Sequence, residues 1–408
     1  MDGVVEQTTG RLSSEAQLGE LLSEGVAFGI ARAQSTFDKL TEPFSESLVL
    51  FGAGGLGRKT LAGLRQVGID PLALADNNSA LWGQTIEGLQ VLSPQAAAQQ
   101  FADNVAFVVT IWRAGGGHRL AHTRQKLLNL GCSRVVSFAP LFWKYADVFL
   151  PYYAIGLPHT LLQQAEQIAR GFALWADEAS RREYLAQVRW RLQLDFDGLP
   201  SPVAHAQYFP DDLFNLLEDE VFVDCGAYDG DSLRAFFERQ SAFRGKFIAI
   251  EPDPGNLQSL KQYAITLPNS WHDHVKILPL AVGVRREIVR FAATGLASAG
   301  ISSTGTLEVE SAPLDEVLHN MRPTFIKMDI EGAEVDALIG ARRLIENALP
   351  VLAICVYHQP DHLWRIPLLI RSFSDQYRFF LRPHNEEGWD LVCYAVPASR
   401  LIATPSER

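Results

Sequence analysis

The chain has 408 residues, 47% of them hydrophobic, and 36 Lys and Arg stand against 47 Asp and Glu for a formal charge of −11. That length allows two or three domains with sizeable cores, and the acidic balance argues against broad binding of nucleic acid or of an anionic membrane surface. No apolar run reaches spanning length and residues 1–11 lack the basic and apolar regions of a secretion signal, so a cytoplasmic protein without membrane contact is expected. Cys132, Cys225, Cys355 and Cys393 are far apart with no CxxC spacing, which predicts reduced, mostly buried thiols and no zinc or redox centre.

Residues 1–46 read as a polar, partly helical arm. Residues 47–51 (SLVLF) are a predicted strand, followed by Gly52, Gly54 and Gly57. Leu61, Leu64 and Val67 then recur at helical spacing, and Gly68 can end that helix. Further strands are predicted at 71–75, ending at Asp76, and at 107–111 and 134–138. Gly115-Gly116-Gly117 and a helix near 122–130 separate the last two. The alternation predicts a small parallel, Rossmann-like α/β domain over 47–140. Its GxGxxG run sits between a strand and a helix, and Asp76 follows Gly52 by 24 positions, near the separation of about 20 in dinucleotide sites. Gly52, Gly54, Gly57, Arg58 and Asp76 are therefore a candidate nucleotide or nucleotide-sugar site, with Arg58 and Lys59 at the positive helix end facing a phosphate. The alternative is a tight turn that serves packing or substrate presentation. The Tyr-x-x-x-Lys pair of a short-chain dehydrogenase is absent, and His118 has no evident partner.

Residues 141–207 have a different texture. Leu161, Ala165, Ile168, Phe172 and Trp175 mark one amphipathic helix, and Tyr184, Leu185, Val188 and Leu192 mark another, both read as inter-domain packing surfaces. Residues 199–210 hold three prolines and read as a linker or cleft loop.

From residue 208 the βα alternation resumes. Strands are predicted at 220–225, 246–251, 275–281, 324–329, 350–357, 377–382 and 389–396, and helices at 231–240, 254–265, 333–347 and 361–373. The polar loop 382–388 is too short for a parallel crossover, so the last strand should run antiparallel. The turn VFVDCGAYDGDS places Asp224, Gly226, Tyr228, Gly230 and Ser232 after the first strand, and the second strand ends in Glu251-Pro252-Asp253. Glycines admit a ligand to the backbone, and a strand-end acid can bind both ribose hydroxyls. Asp224, Asp229 and Asp231 would repel a diphosphate but suit a ribose, an ammonium and a sulfonium together, which is the pattern of S-adenosylmethionine.

FIKMDIEGAE delivers Asp329 to a strand end, with Glu331 and Gly332 turning into a helix. VYH then places His358 at the next strand end, beside Asp329. Either could deprotonate an acceptor hydroxyl; His358 could equally hydrogen-bond a loop carbonyl, and Glu331 and Glu334 could be simple partners of the helix dipole. A divalent ion on Asp329 and Glu331 lacks an obvious third ligand. His272-Asp273-His274 reads as a solvated turn.

In this order VFVDCGAYDGDS, AIEPDP, FIKMDIEGAE and VYHQPDHLW resemble the FkbM family of S-adenosylmethionine-dependent methyltransferases over roughly residues 208–397. The resemblance implies a seven-stranded sheet and methylation of hydroxyls on sugars or secondary metabolites. It puts the cofactor turn at Asp224, Gly226, Tyr228 and Gly230, the ribose acid at Glu251, and the reaction side at Asp329, Glu331 and His358; Ser232 and Asp253 complete the candidate cofactor set. Residues 296–305 resemble a flexible active-site loop. FGAGGLGRK and LADNN more loosely resemble nucleotide-sugar-binding front domains. An O-methyltransferase is thus expected, acting on a sugar, glycan precursor or secondary metabolite. An NAD(P)-dependent oxidoreductase or epimerase of nucleotide sugars, or a non-enzymatic nucleotide-binding scaffold, are the rival readings.

Overall fold

The computed structural model describes residues 13–115, 119–293, 295, 299–302 and 304–402. Residues 1–12, Gly116, Gly117 and His118, and residues 296–298 and 303 of the expected loop, lie outside the described residues.

The front sheet contains β1 (Leu48–Phe51), β2 (Ala73–Ala75), β3 (Thr85–Ile86), β4 (Leu89–Leu92), β5 (Ala106–Val109) and β6 (Val135–Ser137), in the order β3-β4-β2-β1-β5-β6. Strands β4, β2, β1, β5 and β6 are parallel, and β3 folds back on β4. All four residues of β1 are buried, as a continuous apolar run covered on both faces requires. Chain order reverses around β1, so a crevice opens at its end, where the glycine run lies.

The second half supplies β7 (Val221–Cys225), β8 (Lys246–Ile250), β9 (Val275–Leu278), β10 (Ala281–Val282), β11 (Glu287–Ala292), β12 (Gly300–Ile301), β13 (Leu307–Ala312), β14 (Phe325–Met328), β15 (Val351–Cys355), β16 (Tyr377–Pro383) and β17 (Leu391–Pro397). Seven of these form one sheet in the order β16-β17-β15-β14-β7-β8-β9. Strand β17 is antiparallel to both neighbours, as its short connection to β16 dictates. The seven-stranded α/β sheet with a reversed last strand is the expected one.

Two expectations change. The strand expected through 281 stops at Leu278, and the chain then builds a four-stranded sheet, β10-β13-β11-β12, that includes Gly300–Ile301 from the expected flexible loop. The helix expected over 333–347 is divided into Glu334–Gly340 and Arg342–Ala348.

Helices hold the two large sheets together. Ser14–Leu22 and Val26–Thr41 bury Leu18, Ala33 and Phe37, so the expected arm carries packed helices. The connector helix Glu178–Gln193 buries Tyr184, Trp190 and Leu192. One hydrophobic core continues from Leu48 and Phe37 through Trp190 to Val223 and Ile354. The turn Glu386–Gly388 reaches back to the front domain: Glu387 accepts the Leu120 N–H with its carboxylate and the Trp112 indole N–H with its carbonyl, the latter at 3.2 Å. Among the described residues no helix is long and apolar enough to cross a membrane, and all four cysteines are free and buried.

Candidate active site

A cleft of about 850 Å3 opens at the carboxyl ends of β7, β8 and β14. Gly226, Tyr228, Asp231 and Glu251 line one side, and Asp329 and Glu331 another. Tyr152 and Tyr153 of the connector, with Leu56, Trp112 and Arg113 of the front domain, face them. Phe291 and Gly300 bring the four-stranded side sheet to the same wall.

The glycine turn is set by close backbone approach. Gly226 has φ +80°, and a Cβ there would fall 2.0 Å from the Asp329 carbonyl oxygen. Glycine is thus needed for the meeting of β7 with β14, besides leaving backbone on the cleft. Glu251, 4% exposed, accepts the Tyr228 N–H at 2.9 Å and the Asp253 N–H at 2.8 Å. Burial pushes its carboxyl up to about 7, against those two backbone hydrogen bonds. A carboxylate has about four acceptor positions, so Glu251 keeps capacity for hydroxyl donors in the cleft.

The three acids of the turn have separate fates. Asp224 is fully buried behind the wall and paired at 2.9 Å with Lys327, which also donates to the Gly226 carbonyl at 2.6 Å. Burial pushes the Asp224 carboxyl up to about 6 despite Lys327. Burial opposes the Lys327 charge too, yet Asp224, Asp329 and Asp231 outweigh it and raise its pKa. Asp229 is neutralised by Arg234 at 2.6 Å, which leaves Asp231 alone of the three on the cleft. Two other candidates also stand off the wall. Asp253 caps the helix Pro254–Thr266 by accepting from Gly255 and Asn256, and its second oxygen accepts the Gly295 N–H. Ser232 is buried in the first turn of the helix Asp231–Arg239, and Gly230, φ +92°, is that helix's N-cap.

On the opposite side, Asp329 accepts from the Tyr208 hydroxyl at 2.7 Å and from the Tyr357 hydroxyl at 3.4 Å. His358 is buried behind it, with Nε2 3.3 Å from Asp329 and 3.8 Å from Glu331. Its Nδ1 meets Glu334 at 2.7 Å. Burial favours neutral imidazole, but Glu334, Glu331 and Asp329 outweigh it and push His358 up to about 10. The three carboxylates thus favour the charged imidazole, the form that holds a proton at Nε2 toward Asp329 and Glu331, and Glu331 stands beside it as a further candidate base. Glu331, with φ +53°, lines the cleft. Burial raises its carboxyl to about 7, against the opposing pull of His358, a value suited to proton transfer near neutrality.

Sequence reasoning missed Tyr208, Tyr153, Trp389 and the Lys327–Asp224 pair. A lysine and an aspartate inside two apolar strand runs were a legible signal, since buried charges occur in pairs. Tyr208 has φ +67° in the Pro-rich loop, where no periodicity marks it. The His272-Asp273-His274 group is structural: His272 donates to the Leu267 carbonyl and His274 to that of Gly245.

The front-domain glycine run is a strand-to-helix turn. A Cβ at Gly52 would lie 2.7 Å from the Thr110 carbonyl oxygen, and one at Gly57 1.8 Å from that of Gly52. Gly54 is open, with nothing within 4 Å of a Cβ. Asp76 accepts the Ala53 N–H and the Asn78 N–H, each at 2.7 Å. Arg58 Nε donates to the Ala53 carbonyl at 3.4 Å, and Lys59 lies over the Tyr152 ring, so both cations have protein partners. Leu56, on the first turn of the helix Gly55–Gln66, lines the main cleft.

Residues 224–385 match the family described as the methyltransferase FkbM domain. A crystal structure of methyltransferase FkbM from Methylobacillus flagellatus KT is 22% identical, covers 94% of this chain and 98% of its own, and superposes with a TM-score of 0.74. It therefore shares the fold of front domain, connector and sheet together. The SAH-bound methyltransferase PaMTH1 of Podospora anserina is 13% identical over 43% of this chain and 70% of its own, with a TM-score of 0.25, too low for structural inference. No curated protein sequence matches the chain. Residues 224–385, about 40% of the chain, are thus similar to the methyltransferase FkbM domain, in a chain whose fold is that of a methyltransferase FkbM crystal structure.

Proposed function

We propose that the protein is an S-adenosylmethionine-dependent O-methyltransferase whose acceptor is a ring-bearing hydroxyl compound such as a sugar or nucleotide sugar. The observation that carries this is one cleft with a strand-end acid, Glu251, beside a glycine turn and a second pair, Asp329 and Glu331, facing it. The residues fit the donor: Glu251 has acceptor capacity for ribose hydroxyls, Asp231 is an exposed-edge carboxylate for an ammonium, and the buried cation at the turn, Lys327, is already paired with Asp224 and the Gly226 carbonyl. S-adenosylmethionine, when bound, supplies an electrophilic methyl on a sulfonium.

The chain's own residues prepare the nucleophile. Asp329, held by Tyr208 and Tyr357, accepts a hydrogen bond from a neighbouring hydroxyl of the acceptor and so orients the reacting one toward Glu331. Glu331, poised at about 7, takes the proton as the oxygen–methyl bond forms. Alignment supplies the larger share of the acceleration, on the order of 7–11 kcal/mol in well-oriented systems. The aromatic cluster of Trp112, Tyr153 and Trp389, with Trp112 and Trp389 centroids 4.6 Å apart and Tyr153 and Trp389 4.8 Å apart, offers apolar faces to a pyranose. Arg113, on the front-domain side of the cleft, suits a phosphate of a nucleotide sugar. For the rival dinucleotide reading, Asp76 is the ribose acid; it is bonded as Glu251 is but does not line the cleft, which its glycine run reaches through Leu56.

The test is calorimetry with S-adenosylhomocysteine, then transfer of labelled methyl to a panel of UDP-sugars and free glycosides. Saturable binding that Glu251→Ala weakens, and turnover that Glu331→Gln lowers by roughly 10²–10⁴-fold, are expected. Absence of any S-adenosylhomocysteine or S-adenosylmethionine binding by the parent chain sinks the reading.

A further inference from the structure

Glu334 takes no part in lining the cleft, yet it is the point at which the reaction side is tied together. It is fully buried. Its Oε1 accepts from His358 Nδ1 at 2.7 Å, from the Ile330 N–H at 3.0 Å and from the Gly332 N–H at 3.4 Å. Its Oε2 lies 3.3 Å from Nδ1 of His362, another buried histidine. Between the two tethered backbone groups sits Glu331, held at φ +53° and followed by Gly332 at φ +104°. An uncommon backbone conformation of this kind persists where its surroundings impose it. One carboxylate thus fixes the loop that aims Glu331 and the imidazole that faces Glu331.

We propose that Glu334 is a positioning residue: from behind the wall it holds the loop 330–332 and keeps His358 as a cation against Asp329 and Glu331, so that it sets how readily Glu331 gains and loses a proton. This rests on the role given to Glu331 above. The charge pattern follows from geometry. His358 Nδ1–H is committed to Glu334, and Nε2 is directed between Asp329 and Glu331. Burial and the Glu334 carboxylate oppose each other at His358, and the carboxylates prevail. At Glu334 itself burial raises the pKa, but His358 and His362 outweigh it and bring it down. The groups facing this cluster are Asp329, Asp390, Cys355, Tyr152, Tyr153 and Tyr357, besides the two histidines and Glu331, and the buried Lys327 acts on Asp329. Of the basic groups named here, His358 is the one within 4 Å of Glu331.

The test uses the full chain and Glu334→Gln, whose amide oxygen can still accept from His358 and from the loop but carries no charge. Loss of the carboxylate lets His358 become neutral, and Glu331 then loses a neighbouring cation. Its proton affinity rises, so the acid limb of the kcat/KM profile moves to higher pH by about one unit, the lower end of what a charge at this range produces. His358→Gln moves the limb in the same direction, and the double variant moves it no further. Glu334→Asp, which keeps the charge, returns it toward the parent. Affinity for S-adenosylhomocysteine stays unchanged throughout. An unmoved limb with activity falling uniformly means a merely structural residue and overturns the proposal. A second measurement needs neither folding of a variant nor turnover: NMR of the parent's His358 ring nitrogens between pH 6 and 9. Both nitrogens staying protonated supports the proposal. Titration of that ring near its ordinary value overturns it, whether or not methyl transfer has been found.

Discussion

The two glycine loops are nearly the same piece of construction, and their difference lies outside the glycines. In each, a strand-end acid accepts one N–H from the loop and another two residues further on: Asp76 from Ala53 and Asn78, Glu251 from Tyr228 and Asp253. In each, the first glycine admits a neighbouring chain, Thr110 at Gly52 and Asp329 at Gly226. A glycine signature therefore certifies a strand-turn-helix crossing before it says anything of a ligand. What sets the second loop apart is a buried ion pair beneath it, acids around it and a concave wall before it. The first loop lies on four buried apolar residues and reaches the same cleft only by Leu56.

The sharpest way to expose that difference is Lys327→Met. It leaves Asp224 buried and uncompensated, an error that costs about 3–5 kcal/mol. Urea unfolding of the variant should show that loss, and the double change with Asp224→Leu should recover most of it. A single variant as stable as the parent would mean that the pair does not support the turn. No charge lies in β1 to be broken in the same way.

Next in size is the contrast between the acids. Glu251→Ala should weaken S-adenosylmethionine about 10- to 100-fold, as loss of hydrogen bonds to a charged group worth ~1.5–3 kcal/mol implies, while Asp76→Ala leaves that affinity alone. The same site predicts a pH dependence. Burial holds free Glu251 at about 7, and hydroxyl donors favour its ionised form. Affinity should be full above pH 7 and fall as pH drops below it, and Glu251→Gln should flatten the profile. Calorimetry at pH 6 and 8 decides; equal affinities would count against a ribose contact by this carboxylate.

The sheet that carries the second loop was legible because its central strands β7, β8, β14 and β15 are mostly apolar runs, as a doubly covered sheet requires, and acids follow two of them, Glu251 after β8 and Asp329 after β14. Asp329 and His358 were correctly brought together by neighbouring strand ends. The charge state of His358 was not legible, because it depends on Glu334, which reads as an ordinary acid at a helix start. The side sheet escaped for another reason. Glu287, Arg290, Glu308 and Glu310 occupy its strands, and only Ala281, Phe291 and Val309 form its small buried cluster. Its pairing comes from backbone hydrogen bonds that leave little apolar pattern. Tyr208 and Trp389 enter from irregular segments, where position is fixed by tertiary contacts such as the Tyr394 hydroxyl on the Tyr208 N–H.

The smallest expected effect tests whether the first loop does more than turn the chain. Gly54, like Gly55, has open space before it, and its φ of −78° and ψ of −163° are extended backbone that valine adopts readily. Gly54→Val should therefore change stability by no more than about 1 kcal/mol, the scale of an N-cap substitution. By contrast Gly57→Ala forces a Cβ to 1.8 Å from a carbonyl oxygen and should cost about 1–3 kcal/mol as an overpacked site. If the front domain presents a phosphate-bearing acceptor, the added branch at Gly54 holds that phosphate from the helix N-terminus. The acceptor KM then rises about tenfold, the equivalent of one lost hydrogen bond, with kcat and S-adenosylhomocysteine affinity unchanged. An unchanged acceptor KM in the folded variant would show that the loop only turns the chain. Recognition of the acceptor would then fall to the aromatic wall and Arg113, and the contrast between the two glycine loops would be complete.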